Sequence, residues 1–310
     1  MKNKIQFQKG MSVNELMKSY GTEDQCVSAL EGMRWPKGFV CPKCASKKYA
    51  IVYHGRARTY RCIPCKAETT LTGNTIFHST KLALTVWFQA IYFLTQTKND
   101  ISALELKRLI GVGYCTAWRI KHKLMQVMYL REQATVLSGT IEMDDSYLGG
   151  EANGGKRGRG SENKAPFIAA VQKNKEGHPL YAVFSPVKTF SKEEVESFSL
   201  AHIDPSATVV SDGLACFKAV GCAHEPVIVG KGRKSTKMEC FNWINTILGN
   251  LKTAITGTLH GFKFRKYIGR YLGEYQYRFN RRFDLASMVP RLLYAAINTG
   301  KHPEYVLKAE

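Results

Sequence analysis

Residues 139–151 read GTIEMDDSYLGGE and place three acids within four positions of a predicted strand. Alternation along the strand puts Glu142 and Asp144 on one face and Asp145 on the other. Like charges this close repel one another unless a cation or a basic side chain offsets them. A salt bridge to a nearby Lys or Arg explains any one acid, whereas a pair of acids favours metal.

A further acid ends a second predicted strand. The stretch VVSDG places Asp212 at the strand's carboxyl end, where open α/β sheets hold their ligands. Asp144 and Asp212 together predict a divalent-metal site with oxygen ligands. Farther on, Asn245 and Lys252 lie seven residues apart on a predicted helix, about 10.5 Å along one face. The Asn side chain offers a neutral oxygen to metal, and the Lys offers a positive charge to phosphate.

Near the C-terminus, GEYQYRFNRRFDL spaces Glu274, Arg278 and Arg281 at i, i+4 and i+7 of a predicted helix. A Glu followed four residues later by Arg forms a favourable ion pair on a helix surface. That pairing alone is sufficient to explain the spacing.

Two C-x-x-C pairs lie near the N-terminus. CPKC contains Cys41 and Cys44, CIPC contains Cys62 and Cys65, and 17 residues separate the pairs. This spacing predicts a zinc site of four thiolates on two knuckles joined by a hairpin. Buried or redox-active cysteine is the alternative, which a single pair would leave open. Four thiolates leave no open coordination position, so the predicted role of the zinc is structural.

The charge of the chain predicts a polyanionic partner. Its 310 residues include 45 Lys or Arg and 25 Asp or Glu, a formal charge of +20. Half of this excess lies in residues 230–282, which contain 12 basic residues and 2 acids. Charge serving only solubility would be spread evenly, so nucleic acid is favoured over an anionic membrane surface.

The N-terminal segment and the cysteine content predict a cytoplasmic protein. The first residues are polar and lack the apolar core of a signal peptide, and the longest apolar stretch is too short to span a bilayer. Four of the nine cysteines form the C-x-x-C pairs and the others are scattered, which fits reduced thiols and metal binding.

A helical segment follows the cysteines. DISALELKRLIGVGYCTAWRIKHKLMQVMY divides at Gly111–Gly113 into two predicted helices. Each has an apolar stripe, formed by Ile101, Leu104, Leu106 and Leu109 before the turn and by Ala117, Ile120, Leu124 and Val127 after it. Two helices around a short Gly turn predict a helix-turn-helix whose second helix would direct Arg119 and Lys123 toward DNA. An ordinary helical hairpin is the alternative.

These patterns divide the chain into four regions. From Ser138 onward, the order of three strands, helix, strand, helix, strand and helix is typical of an α/β domain. In its first helix, Ser191 is predicted as the N-cap, with Glu194 completing a capping box. The regions are 1–78 with the zinc ribbon, 79–135 with the helix-turn-helix, 136–290 as the α/β domain, and 291–310 as a C-terminal helix and tail.

In order along the chain, these segments resemble the zinc-ribbon group of bacterial insertion-sequence transposases, which carry a DDE-type catalytic domain. The resemblance rests on RWPKGFVCPKC, YRCIPC, IEMDDSYLGG, KRGRG, NKAP, VVSDG, NWINTILGNLK and YRFNRR, which span nearly the whole chain. It implies a ribonuclease-H-like mixed sheet flanked by helices, preceded by a small zinc ribbon and a helix-turn-helix.

The resemblance also implies roles for individual residues. Asp144 and Asp212 match the two metal-binding aspartates of the family. Asn245 and Lys252 match a subgroup that has Asn in place of the third acid and a Lys seven residues later. Glu239 lies close by in the sequence and is an alternative third ligand.

Supporting and DNA-binding roles follow from the same resemblance. Asp145 and Glu274 are expected to support the site without binding metal directly. Basic side chains are expected to hold the DNA backbone. They are Lys156, Arg157, Arg159, Lys164, Arg119, Lys123, Arg278 and Arg281.

The implied function is a DNA transposase that nicks the ends of its insertion sequence and joins them to target DNA. Two Mg²⁺ or Mn²⁺ ions would serve this phosphoryl transfer, and Zn²⁺ would hold the ribbon. Double-stranded DNA, as terminal inverted repeats and as target, is the expected partner. Joining two ends implies a homodimer or larger assembly on DNA, at the bacterial nucleoid.

Two alternatives stay open at the level of the sequence. A transcription regulator with the same DNA-binding modules would bind DNA without cutting it. A metal-dependent, structure-selective nuclease of the same fold would cut DNA without joining it.

Overall fold

The computed structural model describes residues 8–55, 57–97, 99–149, 164–228, 238–259 and 264–309, with the backbone alone at 57, 239 and 264. The chain divides into two compact units, Met1–Val127 with Phe283–Ala309, and Met128–Arg282. Among the described residues, no helix combines the length and apolarity needed to cross a membrane.

The described residues form ten α-helices and eight strands. The helices are α1 (Val13–Tyr20), α2 (Glu23–Arg34), α3 (Leu84–Gln96), α4 (Ala103–Ile110), α5 (Tyr114–Glu132), α6 (Lys192–His202), α7 (Asn242–Thr258), α8 (Phe264–Asn280), α9 (Met288–Ile297) and α10 (Glu304–Ala309). The strands are β1 (Tyr49–His54), β2 (Ala57–Cys62), β3 (Glu68–Thr70), β4 (Thr140–Leu148), β5 (Ala165–Lys173), β6 (Pro179–Pro186), β7 (Thr208–Asp212) and β8 (Ala223–Val227). Short 3₁₀ helices span Ala215–Ala219, Glu239–Phe241 and Leu285–Ser287.

In the first unit, β1, β2 and β3 form an antiparallel sheet that holds the cysteine knuckles. Aromatic side chains pack beside it: the rings of Trp35 and Tyr60 lie 4.6 Å apart, and Phe39 stacks on Tyr60 at 5.0 Å. A sheet this small buries little apolar surface, so packing among these rings contributes to its stability.

The predicted pair of helices around a glycine turn is confirmed. Helix α4 ends at Gly111, whose φ of +67° is a left-handed conformation that glycine adopts without strain. The predicted apolar stripe of α4 is partly wrong, because Leu106 is buried while Leu104 and Leu109 are exposed. The stripe of α5 is correct, with Ala117, Ile120, Leu124 and Val127 all buried.

The C-terminal residues Phe283–Ala309 belong to the first unit, where α9 packs against α2 and α3. Apolar residues of α9 such as Leu292 and Leu293 are fully buried. The sequence pattern instead predicts residues 283–290 as part of the α/β domain and residues 291–310 as a C-terminal helix and tail.

The second unit contains a five-stranded sheet in the order β6-β5-β4-β7-β8. Strands β6, β5 and β4 pair antiparallel, whereas β7 and β8 run parallel to β4. This mixed sheet, flanked by helices and preceded by a zinc-ribbon region, confirms the predicted ribonuclease-H-like class. Strand β4, which carries the acids, is central and paired on both sides.

Helices cover both faces of this sheet. Alternate residues of β5 point to opposite cores, Phe167 toward α7 and α8 and Ile168 toward α6. The segment after Asp212 forms a 3₁₀ helix where an α-helix was predicted. Ser191 caps α6 as predicted, but the side chain of Glu194 accepts a hydrogen bond from the Lys188 N–H at 3.2 Å, so this capping box is not formed.

Candidate active site

Three carboxylates meet at the carboxyl ends of two parallel strands. In the β4–β7 register Met143 lies opposite Ser211, so Asp144 and Asp212 follow at adjacent positions. One oxygen each from Asp144, Asp145 and Asp212 lies within 4.8 Å of the others. The structure therefore brings together the two predicted aspartates, and it adds Asp145, which strand alternation had placed on the opposite face.

The surroundings of Asp144 oppose its ionisation. The pKa of Asp144 is raised from 3.8 to about 7, mainly by burial and also by the charges of Asp145 and Asp212. A hydrogen bond from the Asp145 N–H and the positive charge of Lys252 act the other way. Closely spaced carboxylate oxygens suit a hard divalent cation, which would offset their mutual repulsion.

Glu142 has a role that the sequence did not reveal. Its side chain is fully buried, and one oxygen accepts a hydrogen bond from the Ile244 N–H at 2.8 Å. The Lys173 ammonium lies 3.1 Å from the other oxygen. Helix α7 has Phe241 at its N-cap and no capping side chain of its own, so Glu142 supplies the cap from β4.

The helix capped in this way carries two of the predicted residues. Asn245 lies half-buried in the first turn of α7, one residue beyond the amide that Glu142 accepts from. Lys252 lies two turns later, exposed, and its charge reaches Asp144. The side chain of Glu239, the alternative third ligand, lies outside the described residues.

The predicted basic element on α8 has internal partners. Arg278 and Glu274 form the expected i, i+4 ion pair, and both side chains are largely buried. Arg281 pairs with the buried carboxylate of Glu132 and stacks on Tyr277, with its guanidinium 3.7 Å from the ring centre. Arg281 thereby links α8 to the end of α5, whereas the pair formed by Arg278 lies within α8 itself.

Helix α8 also covers strand β6, which forms one edge of the sheet. Gln276 accepts a hydrogen bond from the Phe184 N–H at 2.9 Å, and Asn280 bonds both backbone groups of Ala182 at 2.8 and 3.0 Å. Because Gln276 and Asn280 are one helical turn apart, they match alternate residues of β6. The edge strand is thereby protected from pairing with another chain.

The four cysteines of the ribbon converge as the spacing predicts. Their sulfurs all lie within 4.8 Å of one another, with Cys41 and Cys65 3.6 Å apart and Cys44 and Cys62 3.5 Å apart. A tetrahedral zinc site with Zn–S bonds of 2.3 Å requires sulfur separations of about 3.8 Å. The donor set and its spacing therefore fit Zn²⁺.

The predicted DNA-binding residues differ in their surroundings. Arg119 is partly exposed and forms an ion pair with Glu304 at 2.5 Å. Lys123 is buried, and its ammonium donates a hydrogen bond to the Ile76 carbonyl at 2.9 Å inside the core. Lys164 precedes β5, whereas residues 156, 157 and 159 lie outside the described residues.

Comparison with known proteins gives matches to both parts of the chain. Residues 136–280, which include the acid cluster, match a family model described as an ISXO2-like transposase domain. Residues 21–68, which include the four cysteines, match a transposase zinc-ribbon domain. The chain is also 23% identical over 291 residues to an uncharacterized protein in transposable element ISH50 of Halobacterium salinarum, covering 83% of this chain and 95% of that protein.

Proposed function

We propose that this chain, which belongs to the insertion-sequence transposases with a zinc ribbon and a DDE-type catalytic domain, nicks the ends of its insertion sequence and joins them to target DNA. The observation that carries the proposal is the convergence of Asp144, Asp145 and Asp212 at the ends of β4 and β7. A regulator that only binds DNA would have no use for three mutually repelling carboxylates at this edge of the sheet.

The residues present fit divalent metal, and we assign the site to Mg²⁺ or Mn²⁺. Asp144 and Asp212 would hold the ions, with Asn245 as a neutral oxygen ligand from α7 and Asp145 in support. Bound there, the ions would supply positive charge at the scissile phosphate and make the attacking oxygen more nucleophilic.

The proposed chemistry consists of two phosphoryl transfers. A water oxygen attacks phosphorus at the element's end, and the bond to the leaving strand oxygen breaks, which leaves a 3′-hydroxyl. That hydroxyl then attacks a phosphodiester of target DNA, joining the strands and releasing a new 3′-hydroxyl. Lys252 is exposed on α7 with its charge within reach of Asp144, so its role would be to hold a phosphate beside the acids.

The first unit would recognise the DNA ends. The zinc ribbon and the α4–α5 pair have the form of DNA-binding modules, and the chain's charge of +20 favours the DNA backbone. Two ends must be held together for joining, so the active species would be a homodimer or larger. Lys123 is left out of this interface because its ammonium is bound in the core.

The proposal is tested with purified protein, Mg²⁺ and DNA that carries the element's ends. Wild type should nick and join, whereas Asp144→Asn and Asp212→Asn should each lose both reactions and still bind DNA. Glu176→Gln, which changes an exposed acid in the β5–β6 turn of the same unit, is the matched control and should keep full activity.

The possible failures have distinct meanings. Nicking without joining would identify a nuclease of the same fold. Binding without metal-dependent cutting would identify a regulator. Retained cutting in either aspartate variant would remove that residue from the metal site.

A further inference from the structure

A cleft of about 390 Å³ adjoins the acid cluster at the same end of the sheet. Its walls include Tyr147, Lys164, Lys188, Phe190, Leu214 and Arg265; we refer to it as the strand-end cleft. The Leu214 N–H donates to a carboxylate oxygen of Asp212 at 3.1 Å. Tyr147 follows Asp145 by two residues on β4, about 6.6 Å along the strand. The cleft is therefore a direct neighbour of the acids.

Three basic side chains from separate elements contribute to this cleft. Lys164 precedes β5, Lys188 follows β6, and Arg265 lies at the start of α8. The cleft's described lining includes no acid. In the adjoining hollow, which shares Lys188 and Arg265, the carboxylate of Glu194 accepts from the Lys188 N–H. The arrangement of charge therefore favours an anionic ligand such as phosphate.

The cleft also has an aromatic wall, which a site for phosphate alone would not need. The rings of Tyr147 and Phe190 meet edge to face, with centroids 5.3 Å apart and planes at 88°. Phe190 packs partly into the core beneath α6, which fixes its position. Aromatic rings beside basic groups are typical of sites that bind single-stranded nucleic acid, where bases stack and phosphates pair with cations.

We propose that the strand-end cleft binds one unpaired nucleotide of the DNA beside the cleavage position, with its phosphate between Lys188 and Arg265 and its base against Phe190 and Tyr147. The volume matches a small ligand and excludes a duplex. The base must therefore leave the stack, which costs a few kcal/mol in a paired duplex and less at a mismatch. This inference rests on the proposed function, because it requires DNA at the acid cluster.

The test places a single mismatch at each position in turn around the cleavage site and measures DNA affinity by fluorescence anisotropy without Mg²⁺. In wild type, one position should bind about tenfold more tightly when mismatched, because the cost of unpairing has been removed. Phe190→Leu keeps apolar bulk against the core but loses the ring, and should abolish this gain. Lys188→Glu should abolish it as well.

Lys175→Glu is the matched control. It makes the same change of charge in the β5–β6 turn, which precedes the opposite end of β6. The two ends of that strand, Pro179 and Pro186, lie about 23 Å apart. The mismatch gain should persist in this variant. A loss of the gain there would mean that net charge, and not the cleft, causes the effect.

Besides a loss of the gain in Lys175→Glu, two results would overturn the proposal while leaving the transposase function intact. One is a wild-type protein that nicks and joins DNA but shows no favourable mismatch position. The other is a mismatch gain that persists in both Phe190→Leu and Lys188→Glu. By contrast, failure of wild type to cut DNA ends under any divalent-metal condition would overturn the proposed function itself.

Discussion

The cap that Glu142 supplies to helix α7 can be tested by substitution. Glu142→Ala removes the acceptor for the buried Ile244 N–H and leaves the Lys173 ammonium, which is 17% exposed, without its carboxylate. Loss of a helix cap costs about 1 kcal/mol, and an unsatisfied buried group adds about 1–3 kcal/mol. We therefore expect destabilisation of about 3 kcal/mol, which lowers the melting temperature of the second unit by about 6–12 °C.

A second variant separates the hydrogen bond from the charge. Glu142→Gln keeps an oxygen for the Ile244 N–H but loses the attraction to Lys173, so it should cost about half as much. A double-mutant cycle with Lys173→Met should give a coupling of about 1 kcal/mol or more between the two side chains. Glu176→Ala removes an exposed acid nearby and should change stability by less than about 0.5 kcal/mol.

Loss of the Glu142 cap should impair Mg²⁺-dependent DNA cutting more than it lowers the free energy of unfolding. Asn245 follows Ile244 directly, so loss of the cap frays the turn that carries it. At a temperature where Glu142→Ala is fully folded, its requirement for Mg²⁺ in DNA cutting should rise at least about tenfold, the size of effect seen when a group behind a metal ligand is lost. An unchanged melting temperature in Glu142→Ala, or an unchanged Mg²⁺ requirement of that variant where it is fully folded, would refute this reasoning.

Three further predictions concern other charged or metal-binding groups. The pKa of Asp144 is raised in the folded state, so loss of its proton opposes folding. Asp144 therefore stabilises the folded state below about pH 4, and this stabilisation is lost as pH rises through about 7. Without divalent metal, Asp144→Asn should therefore be more stable than wild type by about 2 kcal/mol at pH 8 and by little at pH 4, and added Mg²⁺ should remove the difference. Cys62→Ser should reduce bound zinc from one ion per chain to none and should speed amide exchange in β1 and β2; unchanged exchange would show that the metal does not hold the ribbon. Lys121→Met should lower the free energy of unfolding in urea by about 3–5 kcal/mol, because it removes the ammonium that lies 2.6 Å from the buried Asp100 carboxylate. Adding Asp100→Asn should recover part of this loss.

The parts of the fold that the sequence predicted correctly depend on local signals. Alternating apolar residues and the turn KEGH indicate β5 and β6, and Gly111–Gly113 separates α4 from α5. The meeting of Asp144 and Asp212 also follows from a general rule, because the carboxyl ends of parallel strands lie at one edge of the sheet. Each of these predictions needs only neighbouring residues and a known topology.

The parts that the sequence did not predict depend on partners far along the chain. Glu142 bonds an amide 102 residues away, and nothing near it in sequence identifies that partner. The arginine at 281 looks suited to DNA, yet it pairs with Glu132, 149 residues earlier. Basic side chains on a helix show the same sequence pattern whether they face solvent or the core. The sequence therefore does not distinguish the buried Lys123 from the partly exposed Arg119.

Strand β4 explains how the unit tolerates its acids. It is paired with β5 from Ile141 to Leu148 and with β7 from Thr140 to Met143, so the backbone beside Asp144 and Asp212 is held in the sheet. Burial, together with the charges of Asp145 and Asp212, therefore raises the pKa of Asp144 while the strand keeps its pairing. The same strand holds α7 through Glu142 and one wall of the strand-end cleft through Tyr147. Because these groups share one rigid element, a substitution that shifts β4 should impair metal binding and DNA positioning together, whereas Phe190→Leu should impair DNA positioning alone.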